Sequence, residues 1–141
     1  MSTESNMAAE VRGNPRITLS TEDYERLSAL AHAARSRMPD LASDLAEEID
    51  RADVLANTRH LQHVVCMNCE VEFRDDTTGK VQKVTLVYPD EADILKRQVS
   101  VLTPVGTALI GLREGQSMIW QTPSGETRQL TVLAVRERHA T

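Results

Sequence analysis

The sequence predicts an α+β protein: an N-terminal antiparallel helical hairpin, in effect a short coiled coil, then an antiparallel sheet of about five strands with one short helix. Three observations predict it. Apolar residues recur at helical spacing between Tyr24 and Ala52. They alternate at strand spacing in Glu70–Arg74 and Gln129–Val135. Between those strands, Val99–Gly115 reads as strand, short helix and tight turn, and a helix of barely two turns needs a sheet to lie on.

Residues 1–16 are polar and small and are expected to be a flexible tail. The hairpin is expected over 17–56. Ile17–Leu19 is a brief extended segment, and Ser20 or Thr21 caps the first helix, with Glu22 and Asp23 favouring its dipole. Tyr24, Leu27, Leu30, Ala31 and Ala34 form its apolar stripe. Met38-Pro39-Asp40 breaks the helix, and Asp40 is the expected N-cap of a second one over about Leu41–Leu55, with Leu41, Leu45, Ile49 and Ala52 as its stripe. A helix of that length is about 22 Å long, and the short connection makes an αα-hairpin.

Residues 57–63 read as a link and 64–141 as a second unit. Its strands are expected at Glu70–Arg74, Lys80–Tyr88, Val99–Val101, Gln116–Gln121 and Glu126–Val135. Asp75–Gly79 and Pro123–Gly125 make turns, and Asp90–Lys96 a loop. Thr103 caps the short helix, Pro104 fits its first position, and Gly111 suits the left-handed conformation that ends it.

The net charge of −5 is concentrated in the front of the chain: residues 1–60 hold seven Lys/Arg and eleven Asp/Glu. An acidic chain with one Trp, one Phe and two Tyr lacks the basic surface and stacking platforms of a strong nucleic-acid binder. No apolar run reaches the roughly 20 residues of a membrane span. Met1–Asn6 lacks the charged and apolar regions of a signal peptide. With two cysteines, this points to a reduced, cytoplasmic setting with no membrane partner.

An ordered series of short motifs carries a resemblance. It comprises Val64-Val-x-Met-Asn68, Thr85-Leu-Val-Tyr-Pro89, Glu91-Ala-Asp93, Ser100-x-x-x-Pro104-Val-Gly106-x-Ala-Leu109-x-Gly111-Leu-Arg-x-Gly115 and Pro123-Ser-Gly125. The series resembles the C-terminal domain of the Gre transcript-cleavage factors, and within that superfamily the nucleoside diphosphate kinase regulator (Rnk) subgroup. Asp50-Arg-Ala52 extends the likeness into the hairpin. The resemblance implies an FKBP-like fold for residues 64–141. It also implies a partner, RNA polymerase, gripped at the rim of its secondary channel through Leu102, Thr103 and Pro104. Gre factors project a long coiled-coil arm whose acidic tip helps to hold a catalytic metal ion. The hairpin here is much shorter. Asp40 and Asp44 stand near its expected tip, but Arg35 and Arg37 flank them, and the two read as an N-cap and a first-turn dipole residue.

The expectation is therefore a polymerase-binding regulator that competes with Gre-type factors without cleaving RNA, with no catalytic residue, cofactor, metal or small-molecule substrate. Weak stimulation of transcript cleavage through Asp40 and Asp44, and a peptide-binding or prolyl isomerase module, remain as alternatives. His60-x-x-His63-x-x-Cys66-x-x-Cys69 offers zinc-ligand chemistry, but from a single segment, where zinc modules bring ligand pairs from two elements. The expected reading is two histidines on a link and two cysteines packed as small hydrophobes. Lys80, Lys83, Lys96, Arg97 and Arg113 are expected to be a solvated face.

Overall fold

The computed structural model describes residues 16–56, 62–122 and 124–137. The expected tail before Arg16, most of the link, His60 and Pro123 lie outside these residues. The elements are β1 (Thr18–Ser20), α1 (Thr21–Ala34), α2 (Pro39–Asp50), β2 (Asp53–Leu55), β3 (Cys69–Asp75), β4 (Lys80–Val87), β5 (Gln98–Ser100), α3 (Pro104–Leu109), β6 (Ser117–Gln121) and β7 (Thr127–Glu137). Helices come first and a five-stranded sheet follows, in the order β5-β4-β3-β7-β6. This is the α+β arrangement expected.

Ser20 caps α1, its Oγ accepting the Asp23 N–H at 3.0 Å. Leu27, Ala31 and Ala34 are the buried stripe, while Tyr24 stays exposed. α2 starts two residues earlier than expected. Pro39 takes the first helical position and Met38 is the cap residue, so Asp40 is a first-turn residue and not the N-cap. α2 also ends sooner, at Asp50, with the Arg51 N–H closing back onto Glu47 and Glu48 carbonyls. The next residues leave the helix because Asp53–Leu55 pairs in parallel with Thr18–Ser20. That pairing joins segments far apart in the sequence, so the local helical period through Ala52 does not register it.

The five-stranded sheet is antiparallel except at one edge, where β5 runs parallel to β4. The chain between them, which contains 3₁₀ turns at Pro89–Glu91 and Ile94–Lys96, crosses back to start β5 beside Thr85. A wholly antiparallel sheet is thus corrected at this strand. The expected turns appear, with Gly79 at φ +79° and Gly125 at φ +89°.

Helices and sheet share one core. Leu27, Leu45 and Ile49 belong to the same buried cluster as Val71, Leu86, Leu109 and Leu130. Three ties hold the hairpin to the sheet. Ile17, fully buried, sits where a side chain on Gly111 would stand: a Cβ there would lie 2.6 Å from the Ile17 Cβ. The Thr18 N–H donates to the Gly111 carbonyl at 3.1 Å. The Asp23 carboxylate accepts the Met67 N–H at 3.2 Å. The hairpin's orientation is therefore set by packing on both sides of the link.

The cysteines are placed differently from the expected extended segment. A turn brings Cys66 and Cys69 together, with their sulfurs in contact and their Cα atoms 5.3 Å apart. The segment is not extended: the Cys69 N–H returns to the Cys66 carbonyl, and Asn68 takes a positive φ of 67°. That turn brings together two side chains that an extended segment would separate.

Candidate functional site

The segment Val101–Pro104, leading into α3, is rigidly built. The Leu102 N–H donates to Ser100 Oγ at 3.0 Å. Thr103 Oγ1 donates to the Ser100 carbonyl at 2.8 Å and accepts the Gly106 N–H at 3.0 Å, the cap expected from the sequence. Thr107 Oγ1 donates to the Val101 carbonyl at 2.8 Å. Gly106 makes this closeness possible, since a Cβ on it would lie 2.2 Å from the Ser100 carbonyl oxygen. Leu102, expected to face a partner, is instead a core residue at 6% exposure. An apolar side chain that can join the core cluster gains more from burial there than from waiting on a partner. Thr103 and Pro104 are the residues of this segment left part-exposed, as is Val105 after it.

Pro104 opens onto a groove of about 690 Å³ between α2 and the sheet. Its floor includes Leu41, Pro104, Ala108, Met118 and Trp120. Its wall carries four carboxylates, from Asp40, Asp44, Glu47 and Glu48. Those positions lie on one side of α2 because steps of three and four return to the same helical face. The sequence puts Asp40 and Asp44 near the hairpin tip. In the structure Asp40 stands in the first turn of α2, directly after the tip, and Asp44 one turn further; both line the groove, and the tip turn itself presents Arg35, Arg37 and Met38, all exposed.

The wall is electrostatically uneven. Glu48 pairs with Arg51 at 2.6 Å. No ion pair or hydrogen bond reaches the carboxylates of Asp40, Asp44 or Glu47 among the described residues. Loss of solvent against the groove raises the Asp44 carboxyl above its ordinary value, and the neighbouring Glu47 and Asp40 raise it further. Burial raises Glu48 as well, with the Arg51 guanidinium opposing. No Lys, Arg or His lines the groove among the described residues. The nearest cation along β7, Arg128, is held by Asp75 at 2.8 Å and Glu126 at 3.0 Å.

The other sequence candidates do not converge. His63 Nδ1 lies 3.2 Å from Glu114, whose other oxygen accepts the Val135 N–H at 2.9 Å. Among the described residues, no three His, Cys, Asp or Glu side chains are grouped as metal ligands. Lys80, Lys83, Lys96, Arg97 and Arg113 are exposed, as expected. On the far side of α1, the Arg26 guanidinium sits 4.8 Å from the Tyr88 ring centroid. Burial pushes the Tyr88 hydroxyl up to about 12. Sequence reasoning misses the groove as a unit. The shared helical face of Asp40, Asp44, Glu47 and Glu48 is legible, but what stands opposite it is not.

Comparison with known proteins gives consistent matches to both parts of the chain. Residues 60–137 match the family of the transcription elongation factor GreA/GreB C-terminal region, and residues 15–55 match the Rnk N-terminus. The regulator of nucleoside diphosphate kinase from Escherichia coli strain K12 is 38% identical over 119 residues, spanning 84% of this chain and 88% of that protein. Transcription elongation factor GreA of Syntrophobacter fumaroxidans is 33% identical over 93 residues, 66% of this chain and 59% of that protein. The solved prokaryotic transcription elongation factor GreA/GreB from Nitrosomonas europaea aligns with a TM-score of 0.68 at 34% identity, covering 86% of this chain and 98% of that one.

Proposed function

Because the chain belongs to the GreA/GreB C-terminal family of transcription elongation factors and carries an Rnk N-terminus, we propose that it is a cytoplasmic regulator that binds RNA polymerase. It docks at the rim of the secondary channel and competes there with Gre-type factors without cleaving RNA. The docking segment is Leu102–Pro104: Leu102 anchors it from below, and Thr103 and Pro104 meet the partner.

The observation that carries the non-cleaving part of this reading is the hairpin. α1 has 14 residues and α2 has 12, so the arm is about 20 Å long. It ends in Arg35, Arg37 and Met38. Its carboxylates Asp40 and Asp44 line the groove beside the sheet. A short arm with a basic end does not carry acid groups to a distant reaction centre, where misplacement by even an ångström is costly.

The test is retention of core RNA polymerase on the immobilised protein, with a Gre factor as competitor. Pro104→Ala is a suitable docking variant, since alanine is compatible with a helix and removes the ring without adding charge. Retention of polymerase, its displacement by the Gre factor, and clearly weaker binding by Pro104→Ala, severalfold or more, are expected. Absence of retention, or equal retention by the variant, defeats the docking assignment. Shortened RNA released from stalled elongation complexes on adding the protein defeats the non-cleaving role.

A further inference from the structure

We propose that the groove between α2 and the sheet is a second half of the docking surface, and that it receives a cationic segment of the polymerase: a Lys or Arg beside an aliphatic side chain. This inference rests on the polymerase-binding reading and specifies the chemistry of the partner element.

The groove has the two features such a segment needs. Its floor of Leu41, Ala108, Met118 and Trp120 offers apolar contact to an aliphatic stem. Its wall presents Asp40, Asp44 and Glu47 with no cation of this chain paired to them among the described residues. Like charges one helical turn apart repel, so this wall is unfavourable in the free protein and is relieved by an incoming positive charge. Loss of solvent against the groove is the main cause that raises the Asp44 carboxyl, and the charges of Glu47 and Asp40 add to it. Charge complementarity of this kind acts chiefly on encounter rate and specificity, and it is screened by salt.

Continuity with the docking segment supports the assignment. Pro104 is both the part-exposed residue at the start of α3 and part of the groove lining. A partner seated on Thr103 and Pro104 therefore reaches the acidic wall without a gap. Ile119, at the strand edge of the groove and 41% exposed, extends the apolar contact beyond it. The arrangement also gives α2 a role other than supporting the hairpin: its inner residues hold the core, and its groove-facing carboxylates select the partner.

The test measures affinity for core RNA polymerase across a series of salt concentrations for three proteins: wild type, Asp44→Asn with Glu47→Gln, and a control of equal net charge, Asp50→Asn with Glu25→Gln. Asp50 and Glu25 are exposed and lie outside the groove lining. Chemical denaturation of all three checks that each is folded. The groove pair is expected to weaken binding about fivefold or more at low salt and to flatten the salt dependence, while the control matches wild type. Binding by wild type with equal effects of the two pairs, or no effect of either, overturns the groove and leaves docking through Pro104 standing. Failure of wild type to bind polymerase overturns both. Asp44→Lys with Glu47→Lys gives an independent reading: binding as tight as wild type by this reversal also overturns the groove.

Discussion

Asp23 does two jobs at the junction of hairpin and sheet. It sits in the first turn of α1, where a carboxylate favours the helix dipole, and it accepts the N–H of Met67, a residue only 7% exposed. Burial raises its carboxyl above the ordinary value, with the Met67 N–H pulling the other way. Asp23→Ala leaves a buried donor without an acceptor and is expected to cost about 1–2 kcal/mol in chemical denaturation. Asp23→Asn keeps a carbonyl acceptor and removes the charge. A carboxyl raised in the folded state stabilises most below its unfolded pKa and loses that contribution as pH rises through the folded value. The stability of Asp23→Asn relative to wild type should therefore increase with pH between the ordinary carboxylate value and the raised one. A difference that is flat or opposite in sign across that window would show that the carboxyl is not desolvated here.

The short helix α3 shows how much of an element is local chemistry and how much is packing. Its cap at Thr103, its Pro104 start and its positive-φ stop at Gly111 follow from residue type alone. Its stability does not, because so short a helix depends on the sheet and hairpin around it. Two glycines with the same backbone sign separate these contributions. A Cβ on Gly79, at φ +79°, would meet nothing within 4 Å, whereas a Cβ on Gly111, at φ +80°, collides with Ile17. Gly79→Ala should cost about 1 kcal/mol, for the left-handed backbone alone. Gly111→Ala should cost about 2–4 kcal/mol, strain and overpacking together. Equal losses by thermal or denaturant unfolding would remove Ile17 from the role of clamp between hairpin and sheet.

Across the whole molecule the buried residues of the helices and of the sheet form one cluster, so they are expected to unfold together. Trp120 reports on the sheet by fluorescence and the helices by far-ultraviolet circular dichroism; coincident transitions are the expected result, and a helical signal lost at lower denaturant would mean that the hairpin melts by itself. The period of the apolar residues is enough for the order of helices and strands, and residue type for the turns at Gly79 and Gly125 and the cap-Pro-Gly frame of α3, because these depend on neighbours within a few positions. The motif series from Val64 to Gly125 is enough for the family. What the sequence leaves open is each feature made by distant residues or by an unforeseen turn. These are the parallel pairing of β1 with β2 that ends α2 at Asp50, the parallel run of β5 beside β4, the burial of Leu102, and the turn that joins Cys66 to Cys69. The acidic face of α2 belongs to both classes. Its composition is a local fact of spacing, but its use is decided by what stands across from it. Only the tertiary structure, by setting that face opposite Pro104 and Trp120, turns four helical carboxylates into the wall of a groove.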